Sequence, residues 1–451
     1  MKLNTIAASV ATLFVIGAAG ATAYGGHAAN EALDQMVAQA AQGPMHIEFI
    51  ERSKGFTEST GSFRVAVSPD CFGPEVADLD IPVMVHYTVN HLPGLRGLAS
   101  YSATVELEGD GGEFLVAATG KPVALELDGG YGFNAEWTNR FSTPALTLVD
   151  DDKRILVAAS SGEFVESDKG AAVGWRLPSI SVDSADISME MVGLSMASRL
   201  HDVEMGLGEH VLAIEKLESE GADPSQSFVA TGLQFNQVTS AADGFVTSEF
   251  TPSVSKIDAA GESLEDLSVK LTLGGLDERA LREINAVSGN GCHGELNDTQ
   301  LKQIEESLLR LIDRGVTFSI TDLEGRKADD RFSGDIRFTM DERIDTESGR
   351  MLTLGERVKL TADLQASSGL VPMPVQEMVV EQGFAVRAEN ALRASLAFGD
   401  GSLMINGRPD ETGMADTASM FLAMGEDNLA IWQSRIAEGN GPLVALAQAT
   451  R

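Results

Sequence analysis

The stretch ALRASLAFGDGSLMINGRP, residues 391–409, has the pattern of a β-hairpin. Apolar residues recur at every second position on either side of a turn: Leu392, Ala394, Leu396 and Phe398, then Leu403 and Ile405. Side chains at this spacing lie on one face of a strand. Asp400-Gly401 is a typical two-residue hairpin turn. The stretch therefore predicts two antiparallel strands that share one apolar face.

The same alternation of apolar and polar residues recurs along the chain. It is found over residues 63–67, 101–107, 269–273, 316–320, 336–340 and 358–364. Alternation with a period of two is typical of antiparallel strands with one buried and one solvated face. The chain is therefore expected to be mainly antiparallel β-sheet.

Three segments have the helical spacing of apolar residues instead. They predict helices near 277–287 and 298–313, and a short one over 374–383. The second begins after a cap at Asn297/Asp298 and ends before Gly315, which are a typical start and stop. The sequence predicts an α+β fold, with a long, mainly antiparallel β-sheet and a few helices on one face. An N-terminal membrane-anchor or signal helix precedes it.

The N-terminus predicts export. Between Lys2 and Glu31 there is no Asp, Glu, Lys or Arg, and residues 5–23 are mostly apolar. As a helix these 19 residues would span roughly 28 Å, close to the thickness of a bilayer core. Ala21-Thr22-Ala23 also fits a cleavage site, so residues 1–24 are a signal anchor or a signal peptide, and we favour the uncleaved anchor. The expected location is the bacterial inner membrane, with the protein on the periplasmic side.

The changes of pattern along the chain divide it into further parts. Residues 25–255 form the N-terminal part of a β-rich periplasmic region, and residues 256–410 form a C-terminal α+β part with the two longer helices. Beyond Pro409 the spacing becomes helical and alanine-rich, so residues 411–451 are predicted to be a helical tail.

Composition limits the classes of function. Of the 451 residues, 43% are hydrophobic and 22% are charged, which excludes wholesale disorder. The formal net charge is −34 at pH 7. Such a field repels the phosphates of nucleic acids, so nucleic acid is not an expected partner.

No pattern in the chain predicts catalytic, cofactor-binding or metal-binding residues. His86 and His91 would point to opposite faces of one strand, and Cys292-His293 lacks the companion ligands of a zinc motif. Residues 193–197 fall one residue short of a nucleophile elbow and lie in an alternating segment, which favours core packing. The acidic run 150–152 lacks the spacing of a calcium loop, and we interpret it as a solvated turn.

Cys71 and Cys292 are the only cysteines, and an exported chain meets an oxidising compartment. Each lies in a turn-rich segment, a placement that suits a cross-link. We predict a disulfide between them, which would close a loop of about 220 residues and contribute at most about 5 kcal/mol. Two separate thiols, or bonds to partners, are the alternatives.

Four stretches resemble the YdgA-like family of bacterial envelope proteins, a domain of unknown function. The apolar N-terminus runs into EALDQMVAQAA, and FIERSKGFTESTGSFRVAV has Arg52, Gly55 and Ser59 at the places of the family's turn motif. The segment VSKIDAAGESLEDLSVKLTLGGLDERALREI and the hairpin at 391–409 are similar to its third and closing elements. The resemblance implies an inner-membrane protein facing the periplasm, with no established activity or catalytic residues.

The chain departs from the family's pattern at three places. It has His91-Leu92-Pro93-Gly94 where the family often has His-Gly-Pro. The two cysteines and the tail at 411–451 lie outside the pattern. These departures weaken the expectation that the chain shares a ligand with the family. The expectation of a shared fold does not depend on them.

The absence of a catalytic pattern in a long exported chain favours a non-enzymatic binding or scaffolding protein of the cell envelope. Its expected partners are the membrane, through the N-terminal segment, and a lipid or an envelope protein. In a sharper form, part of the apolar sheet face stays open as a groove for a lipid or acyl chain. A closed core is the alternative, and of the two the sequence favours the closed core. The rival function is an envelope hydrolase of cell-wall or ester bonds whose catalytic residues are scattered in sequence.

Overall fold

A computed structural model describes residues 45–67, 83–92, 97–150, 153–223, 225, 227–288, 297–344, 349–438 and 441–445. The predicted anchor or signal segment, residues 1–24, and both cysteines lie outside these residues. Within the described part of the chain, none of the helices combines the length and the apolarity that crossing a bilayer requires.

The described residues divide into two compact units. The first contains those up to Val203 and those of 217–222, and the second contains 204–216 and those from Asp223 onwards. Strand β12 (Leu207–Gly221) carries residues of both. The division between 25–255 and 256–410 that the sequence suggests stays a prediction.

The first unit is built on antiparallel strands that mostly pair with the next strand along the chain. They are β1 (Met45–Lys54), β2 (Glu58–Val67), β3 (Val83–Asn90), β4 (Ala99–Leu107), β5 (Val123–Tyr131), β6 (Trp137–Thr143), β7 (Leu146–Asp150), β8 (Lys153–Val157), β9 (Ser160–Ser167), β10 (Gly170–Asp183) and β11 (Ile187–Asp202). The pairing runs β1-β2-β3-β4-β5-β6-β9-β10-β11. Strand β8 pairs with β7 and β10. Helix α1 (Gly109–Thr119) connects β4 to β5.

The core of the first unit lies on one face of this sheet. Across four neighbouring strands the register places Phe63, Val85, Val105 and Leu125 in one row. All four are at most 6% exposed. The opposite face is polar, as the 2.8 Å ion pair between Arg64 and Glu108 illustrates.

The second unit contains another antiparallel series. Its strands are β13 (Phe228–Ala242), β14 (Phe245–Ala259), β15 (Glu262–Asp277), β16 (Val316–Lys327), β17 (Asp330–Met340), β18 (Val358–Ser367), β19 (Val386–Ala388), β20 (Ala391–Gly399), β21 (Ser402–Ile405) and β22 (Arg408–Pro409). The pairing runs β13-β14-β15-β16-β17-β18-β20-β21-β22, and β19 pairs with β20.

The helices of the second unit are few. They are α2 (Glu278–Ser288), α3 (Asp298–Arg314), α4 (Leu354–Arg357), α5 (Met373–Glu381) and α6 (Met414–Ala437), with one turn of 3-10 helix at Ser368–Leu370. Three of them lie where the sequence predicts helices, near 277–287, 298–313 and 374–383. Helix α6 lies within the predicted tail. The prediction of a mainly antiparallel sheet with a few helices is confirmed for the described residues.

The hairpin at 391–409 forms strands β20 and β21. Asp400 and Gly401 both have positive φ, at 51° and 70°, as a tight hairpin turn of this hand requires. Phe398 pairs with Leu403, and Leu396 pairs with Ile405. The two strands therefore present their apolar residues to the same side.

Candidate functional site

The candidate site is the apolar face of the strand series of the second unit, and the strand register builds it from six strands. One row across β15, β16, β17, β18, β20 and β21 consists of Leu271, Ile320, Ile336, Ala362, Leu396 and Ile405. The row beside it consists of Leu273, Phe318, Phe338, Leu360, Phe398 and Leu403. Because side chains alternate along a strand, both rows lie on one side of the sheet. We call this side the apolar face.

The other side of the same strands is polar. Ser319 pairs with Thr272 on one neighbouring strand and with Arg337 on the other. An ion pair of 2.9 Å joins Lys270 to Glu249 across β14 and β15. The sheet thus has one face that gains free energy when it is covered and one that is suited to water.

Helix α6 covers the apolar face over β18, β20 and β21. Val358, Phe398 and Leu403 are at most 8% exposed and form a core cluster there. The residues of α6 that pack against the cluster are Ala415, Ala418 and Leu422. A hydrogen bond of 2.8 Å from the backbone N–H of Leu354 to Glu426 Oε2 joins α6 to the start of α4.

Other parts of the apolar face are exposed. Leu273 and Phe318, side by side on β15 and β16, are 41% and 38% exposed. Leu364 on β18 is 42% exposed, although it lies on the same strand and side as the covered Val358. The apolar face therefore continues beyond the area that α6 covers.

The exposed part of the apolar face consists of aliphatic and aromatic side chains. Such a surface has no group to donate or accept a proton, and it favours ligands that also lose apolar area from water. Each 100 Å² of apolar area buried there would contribute about 2.5 kcal/mol. This part of the sheet is suited to binding an apolar chain.

The first unit brings together a serine and a histidine that sequence reasoning did not connect. Ser59 on β2 is 2% exposed, and its Oγ lies 2.8 Å from Nε2 of His91, just after β3. The backbone N–H of His91 donates to the carbonyl oxygen of Thr57 at 2.9 Å, which holds the histidine beside the serine. Nδ1 of His91 is buried, and no described residue is its hydrogen-bond partner. A serine nucleophile normally needs an orienting group at that nitrogen.

The structure describes only some of the remaining candidates from the sequence. His86 is on the polar side of β3, with Nε2 3.8 Å from Glu106 Oε2. Residues 193–197 are part of strand β11. Residues 151–152 and 292–293 lie outside the described residues. Elsewhere, no group of three potential metal ligands occurs among the residues that the structure describes.

One further polar pair lies within the strand series of the first unit. Tyr101 on β4 donates a hydrogen bond to Asn139 Oδ1 on β6, and its ring passes over Gly129 on the strand between them. Burial, and secondarily the negative charge of Asp128, raises the pKa of Tyr101 to about 12. The phenol therefore stays protonated at neutral pH and serves as a hydrogen-bond donor. A side chain in place of Gly129 would collide with the ring, so this residue provides the space.

Comparison with known families identifies the group to which the chain belongs. Residues 1–410 match the family described as Bacterial protein of unknown function (DUF945). The chain is a member of DUF945. No curated protein and no solved structure matches it. Helix α6 begins at Met414, beyond the matched residues, so a segment outside the DUF945 match covers part of the apolar face.

Proposed function

We propose that this DUF945 chain is an exported, membrane-tethered protein of the bacterial envelope that binds an apolar ligand without catalysing a reaction. In the sharper form of the proposal, the open part of the apolar face accommodates an acyl chain of a lipid. The observation that carries it is the exposure of Leu273, Phe318 and Leu364 on an otherwise continuous apolar face. Exposed contiguous apolar surface is typical of binding sites for apolar partners.

We further propose that the chain is YdgA-like within its family and faces the periplasm from the inner membrane. The apolar residues 5–23 and the turn with Arg52, Gly55 and Ser59 support this proposal. Most of the protein should then sediment with membranes and resist carbonate extraction. A soluble form that begins at Tyr24 would show cleavage of the segment and would contradict the tether.

The lipid proposal is tested by photo-cross-linking of the full chain with a phospholipid that carries a diazirine on its acyl chain. Cross-links are mapped by mass spectrometry to individual peptides, so that labelling of residues 5–23 is counted separately. We expect labelled peptides around Leu273 and Phe318.

The cross-linking of two variants is compared, and the side chains that they replace have similar exposed fractions. Phe318→Glu places a charge on the open apolar face, and Val238→Glu places one on the opposite side of the same sheet, where Val238 is 43% exposed. We expect Phe318→Glu to reduce cross-linking to the peptides around Leu273 at least fivefold, with little change for Val238→Glu. Equal labelling of both variants, or no labelling of the sheet in the unaltered chain, would refute the lipid proposal.

A second candidate function is an envelope hydrolase, and the contact between Ser59 and His91 favours it. The burial of Ser59 and the lack of a described partner at Nδ1 of His91 count against it. A fluorophosphonate probe, which labels activated serines, should leave the unaltered protein unlabelled. Labelling that disappears in Ser59→Ala would establish the hydrolase instead.

A further inference from the structure

Three large apolar side chains project from the ends of strands in the first unit. Phe56, between β1 and β2, is 96% exposed; Leu92, just after β3, is 57% exposed; and Phe133, between β5 and β6, is 66% exposed. Single exposed apolar residues are common on protein surfaces, and they need no special explanation. The position of these three residues relative to one another does need an explanation.

The strand register places all three at the same end of the sheet. Lys54 pairs with Ser59 on either side of Phe56, and Tyr131 pairs with Trp137 on either side of Phe133. The end of β3 lies between them in the order of the strands, because Asn90 pairs with Glu58 on β2 and with Ser100 on β4. Successive hairpins are separated by two strand spacings, or about 10 Å. We call these residues the three apolar tips.

Hydrogen bonds fix the backbone that carries the tips. The N–H of Gly55 donates to Glu58 at 2.9 Å, and the N–H of Gly132 donates to Glu136 at 2.8 Å. Nδ2 of Asn134 also donates to Glu136 Oε2 at 2.5 Å. Both turns are closed in this way, and the phenylalanine in each of them is exposed to water.

The charge around the tips differs from that of the whole chain. Residues 54–58, 91–92 and 132–136 contain two carboxylates, those of Glu58 and Glu136, and one ammonium group, that of Lys54, in a chain with a net charge of −34. A nearly neutral end avoids the repulsion that the rest of the surface would exert on phosphate groups. Three separate projecting side chains are suited to a lipid layer, because lipids can rearrange around each side chain. Protein interfaces, in contrast, are closely packed continuous patches.

We propose that the three apolar tips insert into the interfacial layer of a phospholipid bilayer with electrically neutral headgroups. Phe and Leu are among the side chains that interfacial membrane-binding segments bury at the boundary between headgroups and acyl chains. The inference goes beyond the proposed function, because it involves neither the apolar face of the second unit nor the apolar N-terminal segment. The failure of one proposal would leave the other untouched.

The test places a fluorescent probe at a tip of the full chain. Phe56→Cys is labelled with bimane in a background of Cys71→Ser and Cys292→Ser, and the protein is reconstituted in phosphatidylcholine vesicles. Some vesicles carry a spin label on the acyl chains, which quenches fluorophores within the membrane. We expect an at least twofold loss of bimane emission. A probe at Arg140→Cys, on the polar side of β6, should lose almost none.

A second pair of variants tests whether the tips act together. Adding Leu92→Asp and Phe133→Asp should restore the emission of the probe at position 56. Val116→Asp, at an exposed apolar position of α1 towards the opposite end of the strands, should leave the quenching unchanged. Absence of quenching at position 56, or equal quenching at position 140, would overturn the proposal and favour a protein partner for this end.

Discussion

Glu283 on α2 shows how one side chain connects stability to pH. Its carboxylate accepts hydrogen bonds of 2.9 Å from Ser307, Arg310 and Arg279. Burial by itself would raise the pKa of Glu283, but these hydrogen bonds and the positive charge of Arg310 together hold it below the ordinary value of 4.5. The unfolded chain therefore binds a proton at this residue at a higher pH than the folded chain does.

A lowered carboxyl pKa stabilises the fold above the unfolded value, and the contribution is lost as the pH falls through the folded pKa. We therefore expect Glu283→Gln to lower the free energy of unfolding by about 1–2 kcal/mol at pH 7. The difference from the unaltered protein should shrink steadily below pH 4.5, and urea denaturation at several pH values measures it. Glu306→Gln, which alters an exposed neighbour on α3, should have little effect at any pH. A penalty for Glu283→Gln that is constant with pH would contradict this account.

Arg357 is a buried cation that donates hydrogen bonds to two backbone carbonyl groups. It is fully buried, and it donates hydrogen bonds to the carbonyl oxygens of Asp341 (at 2.8 Å) and Ile312. Burial is the main cause that lowers the pKa of its guanidinium group below the ordinary value for arginine. These contacts connect the end of α3, the end of β17 and the last residue of α4.

Arg357→Met should destabilise the protein by roughly 3 kcal/mol, because it leaves buried carbonyl groups without donors. Thermal unfolding followed by circular dichroism measures the loss. Arg337→Met, an exposed arginine on the polar side of β17, is the matched control and should cost less than about 0.5 kcal/mol. Equal effects of the two substitutions would show that the carbonyl contacts contribute nothing.

At the scale of one element, the first residues of α3 themselves form the hydrogen bonds that start the helix. The side chain of Asn297 accepts from the N–H of Gln300 at 3.0 Å, and Gln300 Oε1 accepts from the N–H of Asn297 at 2.9 Å. This reciprocal pair satisfies two backbone donors that the helix itself leaves free. Asn297→Ala should lower the free energy of unfolding by about 1 kcal/mol in urea denaturation, and Gln303→Ala on the exposed side of α3 should change it little. Equal losses would contradict the role of the cap.

Helix α6 depends on its inner residues for attachment to the sheet. Leu422 packs against the cluster of Val358, Phe398 and Leu403, whereas Met424 on the outer side is 53% exposed. Leu422→Ala should therefore cost about 2 kcal/mol, and Met424→Ala should cost much less. Digestion by a protease under native conditions gives a second measure, since only the first variant should be cut faster within α6. Similar digestion of both would show that α6 is held by other contacts.

Local patterns predicted the elements better than the contacts between them. The hairpin at 391–409 could be predicted because Asp400 and Gly401 fix the turn and therefore the register. The cap at Asn297 likewise marked the start of α3. The contact between Ser59 and His91 could not be predicted, because it joins residues 32 positions apart and depends on the pairing of β2 with β3. The three apolar tips were missed for the same reason, since only the register places them at one end.

At the scale of the whole molecule, the net charge of −34 makes the stability of the fold depend on the salt concentration. Like charges repel one another more strongly in the compact state than in the unfolded chain, and salt screens this repulsion. We expect the Tm to rise by about 3 °C between 20 mM and 300 mM NaCl. Choline chloride at equal ionic strength should act alike, because screening does not depend on the identity of the cation. A Tm that falls with added salt would contradict this interpretation.

The amphipathic character of the sheet was predictable from the alternation of residues. How much of its apolar face α6 covers was not predictable. The sequence left an open groove and a closed core as alternatives. The exposure of Phe318 and the burial of Phe398 in the same row depend on where α6 lies. The disulfide between Cys71 and Cys292 stays a prediction, since both residues lie outside the described part of the chain.

The order of strand pairing bears on how the protein reaches its folded state. From β1 to β6 and from β13 to β18, every strand pairs with its successor in the chain. Contacts between neighbours in sequence generally close shorter loops than contacts between distant segments do, and they form faster for that reason. Each series can therefore grow hairpin by hairpin while the rest of the chain is still being delivered. A polypeptide threaded through a membrane from its N-terminus would gain from such an order, because no early strand has to wait unpaired for a late one.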